Sequence, residues 1–313
     1  MDLGNIPDVE PIVPEEQPIY AQFFAEELEL ALYANSWAYI TQACRDTGNL
    51  GHRFYDQQTL ISIGQHNDHT VLVRPLGHNT VEKTLDLAQR LRQQTSRPVY
   101  LKHPSEAQTD QLRSKGFVPM QEYPWTPEAP LDDDTYPQLL YDIITVLEAG
   151  HKESNVRRTL ARFTNSLITD ERLMHMHTMP FKPHEWTNQI ATATDILMEL
   201  DGGRNEWYDA HRNMITNHPT DGISSFLNLG RETLGFHVYT QIGHQTVGWY
   251  ANICKYQEIP GLSEAFMMIA FSHLRDQGYS SVLAGGSETE SLHKFKMKFN
   301  PVELKQAEHL VLL

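Results

Sequence analysis

Cysteine is scarce in this chain: Cys44 and Cys254 are the two among 313 residues. They lie far apart in sequence and neither has a metal-type or redox-type partner nearby, which excludes a disulfide framework and a cysteine-ligated zinc finger. Two buried structural thiols are the expectation. Hydrophobic runs are short. No stretch of about eighteen apolar residues occurs, so no transmembrane helix is expected. The N-terminal MDLGNIPDVEPIVPEEQP is acidic and proline-rich where a secretory signal is basic and then apolar. A soluble cytoplasmic protein without an integral membrane segment is therefore expected. Positive charge is also short, with 25 Lys and Arg against 40 Asp and Glu and a formal net charge of −15. A long-range field of that sign repels DNA and anionic lipid and leaves any contact with nucleic acid to local basic patches. A Ser-His-Asp nucleophile elbow, a Walker phosphate loop and the Rossmann glycine fingerprint are missing as well.

What is present suffices for two cores. The chain is 40% hydrophobic and 10% aromatic, and its length exceeds the usual size of one domain. Residues 1–18 read as a flexible leader. A first unit over residues 19–122 holds helical segments within Phe23–Arg45, strands at Phe54–Tyr55, Thr59–Ile63 and Thr70–Pro75, a helix over Asn79–Thr95 and a strand at Val99–Lys102. Residues 123–137, YPWTPEAPLDDDTYP, carry four prolines and three consecutive aspartates and read as a linker. A second unit over residues 138–313 opens with a strand at Leu139–Glu148 and a basic helix at Asn155–Leu167. Helices at His184–Leu200 and Asn205–Asn217 follow, then strands at Ile223–Leu229, Leu234–Ile242 and Val247–Tyr256.

Val247–Val302 is the most informative stretch. Val247, Trp249, Tyr250, Ile253 and Tyr256 support a strand, in which Gly248 marks a bulge or a close backbone approach. Pro260-Gly261 ends it. From Leu262 the apolar residues Phe266, Ile269, Ala270 and Leu274 recur at helical spacing, Ser263 is placed to cap, and Gly278 suits a left-handed C-terminal residue. A short strand, Tyr279–Ala284, is broken by Gly285-Gly286-Ser287 before a helix over Glu288–Phe299 that Asn300-Pro301 stops. Strand, helix and strand in this order imply a right-handed crossover, parallel pairing, and a ligand site at the carboxyl ends of the strands.

The run GGSETESLHKFKMKFNP resembles the closing motif of the GNAT-like domains in the lysyl-phosphatidylglycerol synthase C-terminal family and the related FemABX transferases. There a small-residue turn precedes a helix with spaced Lys and Phe. Lys102–Val118, KHPSEAQTDQLRSKGFV, resembles the end of such a unit too, a helix followed by a Gly-Phe step. The resemblance implies an α+β fold of two GNAT-like units in tandem, each a mixed, mostly antiparallel sheet flanked by helices. It further implies an acyltransferase without a permanently bound cofactor. Acetyl-coenzyme A enzymes of this fold place a glycine-rich loop on the pyrophosphate, whereas QEIPGLSEA keeps only Gly261 of that pattern. This departure, shared with the FemABX-like and lysyl-phosphatidylglycerol synthase-like relatives, favours aminoacyl-tRNA as donor and an amine or hydroxyl of a small molecule, peptide or lipid head group as acceptor. An acyl-CoA-dependent N-acetyltransferase and a non-catalytic GNAT-like binding protein are the alternatives.

The candidate site residues cluster around the last crossover. Gly261 and Ser263 open the crossover helix, and Ser287, Glu288 and Ser291 sit at the start of the final helix, where free N–H groups attract an anion. Lys294 and Lys298 lie four apart on one face of that helix and suit a phosphate. Arg157 and Arg158 belong to a second basic patch with Lys152 and Arg162, fitted to the acceptor end of a tRNA or to coenzyme A. Tyr250 and Asn252, two apart on a strand, are expected to face the acceptor, and Glu258 is the candidate general base. Simple capping by Ser287 with Glu290 three residues on is the competing account of that serine. His175, His177 and His184 lack a carboxylate or cysteine at ligand spacing, and no metal is expected.

Overall fold

The structure is a computed structural model that describes residues 3, 6–26, 32, 34–44, 50–66, 69–120, 136–152, 154–169, 176–180, 223–229, 232–254, 259–287, 289–306 and 308–313. The chain forms two compact units, one of Met1–Pro127, Ile242–His244 and Ala307–Leu313, the other of Glu128–Gln241 and Gln245–Gln306.

In the first unit β1 (Val9–Pro11), β2 (His52–Tyr55), β3 (Thr59–Gln65) and β4 (Thr70–Gly77) form an antiparallel meander. Helices α1 (Gln17–Glu26) and α2 (Trp37–Ala43) lie between β1 and β2 in the chain. The crossover helix α3 (Thr80–Thr95) returns the chain to β5 (Val99–Lys102), parallel to β4. Its Val81, Leu87, Ala88 and Leu91 are buried at helical spacing against Ile61, Leu72 and Leu101 of the sheet. Helix α4 (Glu106–Arg113) leads to β6 (Val118–Pro119). The sheet order is completed by the last strand of the chain (Leu310–Leu312), which inserts between β5 and β6. Residues read as leader thus supply β1, and Glu16 forms an ion pair with the buried Arg53. The C-terminal residues read as part of the second unit lie in the first sheet.

In the second unit β7 (Gln138–Asp142) is followed by α5 (Ile143–Lys152) and α6 (Ser154–Thr169). The strand expected over Leu139–Glu148 is therefore half helix. Asp142 Oδ1 accepts a hydrogen bond from the Thr145 N–H at 2.7 Å, as an N-cap does, and Ile143 and Val146 are buried one turn apart while Ile144 is exposed. Amphipathic packing outweighs the β-propensity of the Ile-Ile-Thr-Val run. Strands β8 (Met176–Pro180), β9 (Ile223–Leu229), β10 (Glu232–Gln241) and β11 (Thr246–Cys254) form the meander. Crossover helix α7 (Leu262–Asp276) leads to β12 (Ser281–Ala284), parallel to β11, and then come α8 (Glu290–Met297), β13 (Glu303–Lys305) and the inserted strand of the first sheet, β14. The order β13-β7-β12-β11-β10-β9-β8 repeats the plan of the first sheet: a four-stranded meander, a parallel partner, an inserted strand from elsewhere in the chain, an edge strand. Met267, Ala270, Phe271 and Leu274 of α7 pack on Trp249, Val282, Ala284 and Tyr141 of the sheet, with the Phe271 ring edge-on to Trp249 at 5.2 Å and to Tyr141 at 5.4 Å.

Cys44 and Cys254 are both buried, and neither is joined in a disulfide. The helices expected over His184–Leu200 and Asn205–Asn217, together with His175 and His184, lie outside the described residues. Among the described residues no cluster of His, Cys, Asp and Glu is placed to hold a metal ion, and no helix is long and apolar enough to cross a membrane.

Candidate active site

The parallel strands β11 and β12 pair over four residues only, from Thr246 opposite Ser281 to Trp249 opposite Ala284. β11 runs on to Cys254, held on its other side by β10. Just past the last parallel pair the register with β10 shifts, with Trp249 facing Tyr239 and Ala251 facing Val238, so Tyr250 is an extra, bulged residue. A bulge kinks and twists its strand, and here it coincides with the point where β11 and β12 stop pairing. The bulge expected at Gly248 is two residues further on. It also breaks the alternation that would have turned Tyr250 and Asn252 to one side. Asn252 pairs with His237, and its amide nitrogen is directed at Met267 Sδ beneath α7.

Beyond this point β11 and the segment after β12 are no longer paired with each other. Asn252 on β11 and Ser287 after β12 each stand three residues past the last pair. Tyr136 bridges Ser287 in antiparallel fashion, in register with the Leu139–Ala284 pair of β7 and β12. Ser287 is fully buried. It does not cap α8: the N-cap is Thr289, whose hydroxyl accepts from the Leu292 N–H at 3.2 Å. His237, which sequence reading passed over, is 1% exposed, stacked on Phe266 with ring centroids 3.9 Å apart and near the Trp249 ring. Burial drives its pKa down from 6.5 to about 3, with Asn252 opposing the shift and His273 adding to it. The imidazole is neutral at pH 7. Its one sequence signal is a histidine inside an otherwise apolar strand, LGFHVY.

No protein-family model matches the chain, and no curated protein matches it. Solved structures do. A conserved protein of unknown function from Bacteroides thetaiotaomicron superposes with a TM-score of 0.72 at 12% identity, over 97% of this chain and 98% of that one. L-PGS from Bacillus licheniformis gives 0.63 at 14% identity, over 97% and 92%. FemX gives 0.57 at 9% identity, over 97% of each. The chain has a tandem GNAT-like fold. At these identities the likeness is one of fold.

Within this GNAT-like fold the remaining candidates fall into different roles. Gly261 is the residue before α7, with φ 81°, and a Cβ there would come within 2.6 Å of the Thr159 carbonyl oxygen of α6. It is a packing glycine that lets α6 lie against the start of the crossover helix. Ser263 does not cap α7; its hydroxyl is 3.5 Å from Cys254 Sγ, and burial pushes that thiol up to about 11. Lys298 is engaged at 2.9 Å with the Glu264 carboxylate in the first turn of α7, and Lys294 pairs with Glu290 at the surface. Ser291 is exposed beside Thr289. Arg157 and Arg158 stand exposed on α6. Glu258 and Glu288 lie outside the described residues. Lys296, of the same basic stretch as Lys294 and Lys298, donates its ammonium to the carbonyls of Gly285 and Gly286 and so holds the turn after β12.

The Glu264–Lys298 pair joins α7 to the end of α8. The glutamate side chain is 11% exposed and the lysine 42%. Lys298→Ala strands a nearly buried carboxylate, and the half-exposed position of the lysine tempers the cost; a loss of about 1–2 kcal/mol is expected in urea unfolding. Adding Glu264→Gln should restore most of it.

Proposed function

We propose that the chain is an acyltransferase that moves an aminoacyl group from aminoacyl-tRNA to an amine or hydroxyl of a small molecule, peptide or lipid head group, at the gap between β11 and β12. The observation that carries this reading is the start of α7. In acetyl-coenzyme A enzymes of this fold, exposed N–H groups there receive a pyrophosphate. Here α6 packs on Gly261 and covers the start of the helix, and the nearby Lys298 ammonium is already engaged by Glu264, an arrangement that leaves little to hold a pyrophosphate. The outer side of the same α6 exposes Arg157 and Arg158, which suit the backbone of a polyanion. The reading implies a cytoplasmic protein, since that is where the donor is found.

The acceptor amine attacks the ester carbonyl, a tetrahedral oxyanion forms, and the carbon–oxygen bond to the terminal ribose breaks. Backbone N–H groups of β11 beyond the bulge are suited to the oxyanion. Glu258 takes the proton of the attacking amine, and Tyr250 at the bulge returns one to the ribose oxygen. An acyl-CoA donor is the second reading, favoured by the parallel gap itself.

Binding of aminoacyl-tRNA and of coenzyme A, measured in parallel at several salt concentrations, tests the proposal. Salt-sensitive tRNA binding is expected. Each of Arg157→Ala and Arg158→Ala should flatten the slope of log affinity against log salt by about 0.7–0.9. Coenzyme A binding alone replaces the donor, and binding of neither ligand makes the chain a non-catalytic module.

A further inference from the structure

Large apolar side chains left in water gather at one margin of the second unit. Of the six exposed ones among the described residues, Val13 and Leu313 belong to the first unit, whereas Ile144, Met297, Val302 and Leu304 belong to the second. β13 is the outermost strand of its sheet and pairs with β7 alone among the described strands. Because β7 runs antiparallel to it, the start of α5 with Ile144 stands beside the start of β13, which the chain reaches from α8 through Met297 and Val302.

The register of β13 accounts for the exposure. Leu304 is opposite Leu139, and the Val302 N–H donates to the Leu140 carbonyl at 2.8 Å. Residues opposite each other share a sheet face, and Leu139 lies in the core with Tyr141 and with Phe271 of α7. Leu139 is fully buried there, yet Leu304, one strand further out on the same face, is 49% exposed and Val302 is 55% exposed. The helical layer therefore ends before the sheet does. β13 carries both an uncovered strip of core face and an open backbone edge.

The charges of the strand select what can lie against it. Glu303 and Lys305 flank Leu304 and share the other face, loosely paired at 3.9 Å. Two copies of β13 brought together antiparallel about a two-fold axis at Leu304 set Glu303 of each against Lys305 of the other, and Leu304 against Leu304. An axis at Glu303 or at Lys305 sets like charges together instead. A lone lysine on an edge keeps other strands away; the glutamate two residues before it turns that repulsion into a choice of partner. We propose that β13 is a self-association surface whose occupant is β13 of a second copy of this chain, so that the sheet continues from one copy into the other. Three residues of strand and four apolar side chains make a small contact, and the dimer is accordingly weak and reversible.

Sedimentation velocity of the full chain from about 1 to 300 μM is the test, with reversible dimerisation expected in the upper part of that range. Leu304→Glu abolishes it. Glu303→Lys and Lys305→Glu each bring like charges together at both symmetry-related positions and weaken association about 10-fold or more. Mixing these two single variants restores the dimer, because each then meets the opposite charge at both positions. All three substitutions are at the surface, and melting temperatures equal to that of the wild type establish that the fold is intact. A wild-type chain that stays monomeric throughout overturns the inference. So does a dimer indifferent to Leu304→Glu, or a failure of the two mixed variants to associate.

Discussion

Gly261→Ala is expected to lower the stability of the second unit by about 3 kcal/mol. Two costs combine. An alanine held at φ 81° costs about 1–2 kcal/mol, because Cβ crowds its own carbonyl in the left-handed region. The added methyl would also lie 2.6 Å from the Thr159 carbonyl, 3.1 Å from Thr159 Cγ2 and 3.2 Å from Phe163 Cβ, so α6 must move off the start of α7. Overpacking of this kind costs about 1–3 kcal/mol. Urea unfolding followed by fluorescence measures the change. A cost below about 1 kcal/mol would mean that α6 does not seal the start of the crossover helix, and the argument against a pyrophosphate there would fall with it.

His237→Phe is expected to stabilise the protein, and to do so more strongly as the pH is lowered. The ring is enclosed by Phe266 and Trp249, and the Asn252 side chain, which favours the protonated form, does not offset that burial. Replacing a buried imidazole by an apolar ring of similar shape is worth about 1 kcal/mol at neutral pH. The gain grows as the pH is lowered. Burial holds the folded-state pKa near 3, whereas in the unfolded chain histidine titrates near pH 6.5. Below about pH 6.5 the unfolded chain therefore binds a proton that the native protein refuses, and wild-type stability falls by about 1.4 kcal/mol per pH unit until about pH 3. The variant lacks this contribution. Its unfolding free energy should exceed that of the wild type by a margin that widens from pH 7 to pH 5. A destabilised variant at neutral pH would show that the imidazole satisfies a structural contact after all.

Local pattern carried much of the fold. The spacing of Leu262, Phe266, Ala270 and Leu274 defines α7, and all four are buried against the sheet. The punctuation by Pro260-Gly261, Gly278, Gly285-Gly286 and Asn300-Pro301 bounds the strand–helix–strand–helix run close to where it is found. The parallel pairing of β11 with β12 follows, because a crossover of this length allows little else. The site was less legible. Arg157 and Arg158 are exposed as a basic patch requires, but Lys298, read as a phosphate ligand, is engaged by Glu264, and Ser287, read as standing at a helix start, is a buried bridge residue. Nothing in a run of residues states which carboxylate thirty-four positions away an ammonium will meet.

By itself the sequence determined the elements of the last crossover and the helix Thr80–Thr95 of the first unit, since hydrophobic period, turn residues and caps act over a few neighbours. Tertiary structure alone decided which strand lies beside which at long range. Leu310 pairs with Leu101 in the first sheet and Leu139 with Ala284 in the second, because alternation of apolar and polar residues specifies a buried face and not the partner strand. It also decided the bulge at Tyr250, which exists only relative to the register of β10. The same holds for the surroundings of His237, Asn252 and Ser287, which are assembled from separate stretches of the chain by the β10–β11 pairing and the Tyr136–Ser287 bridge.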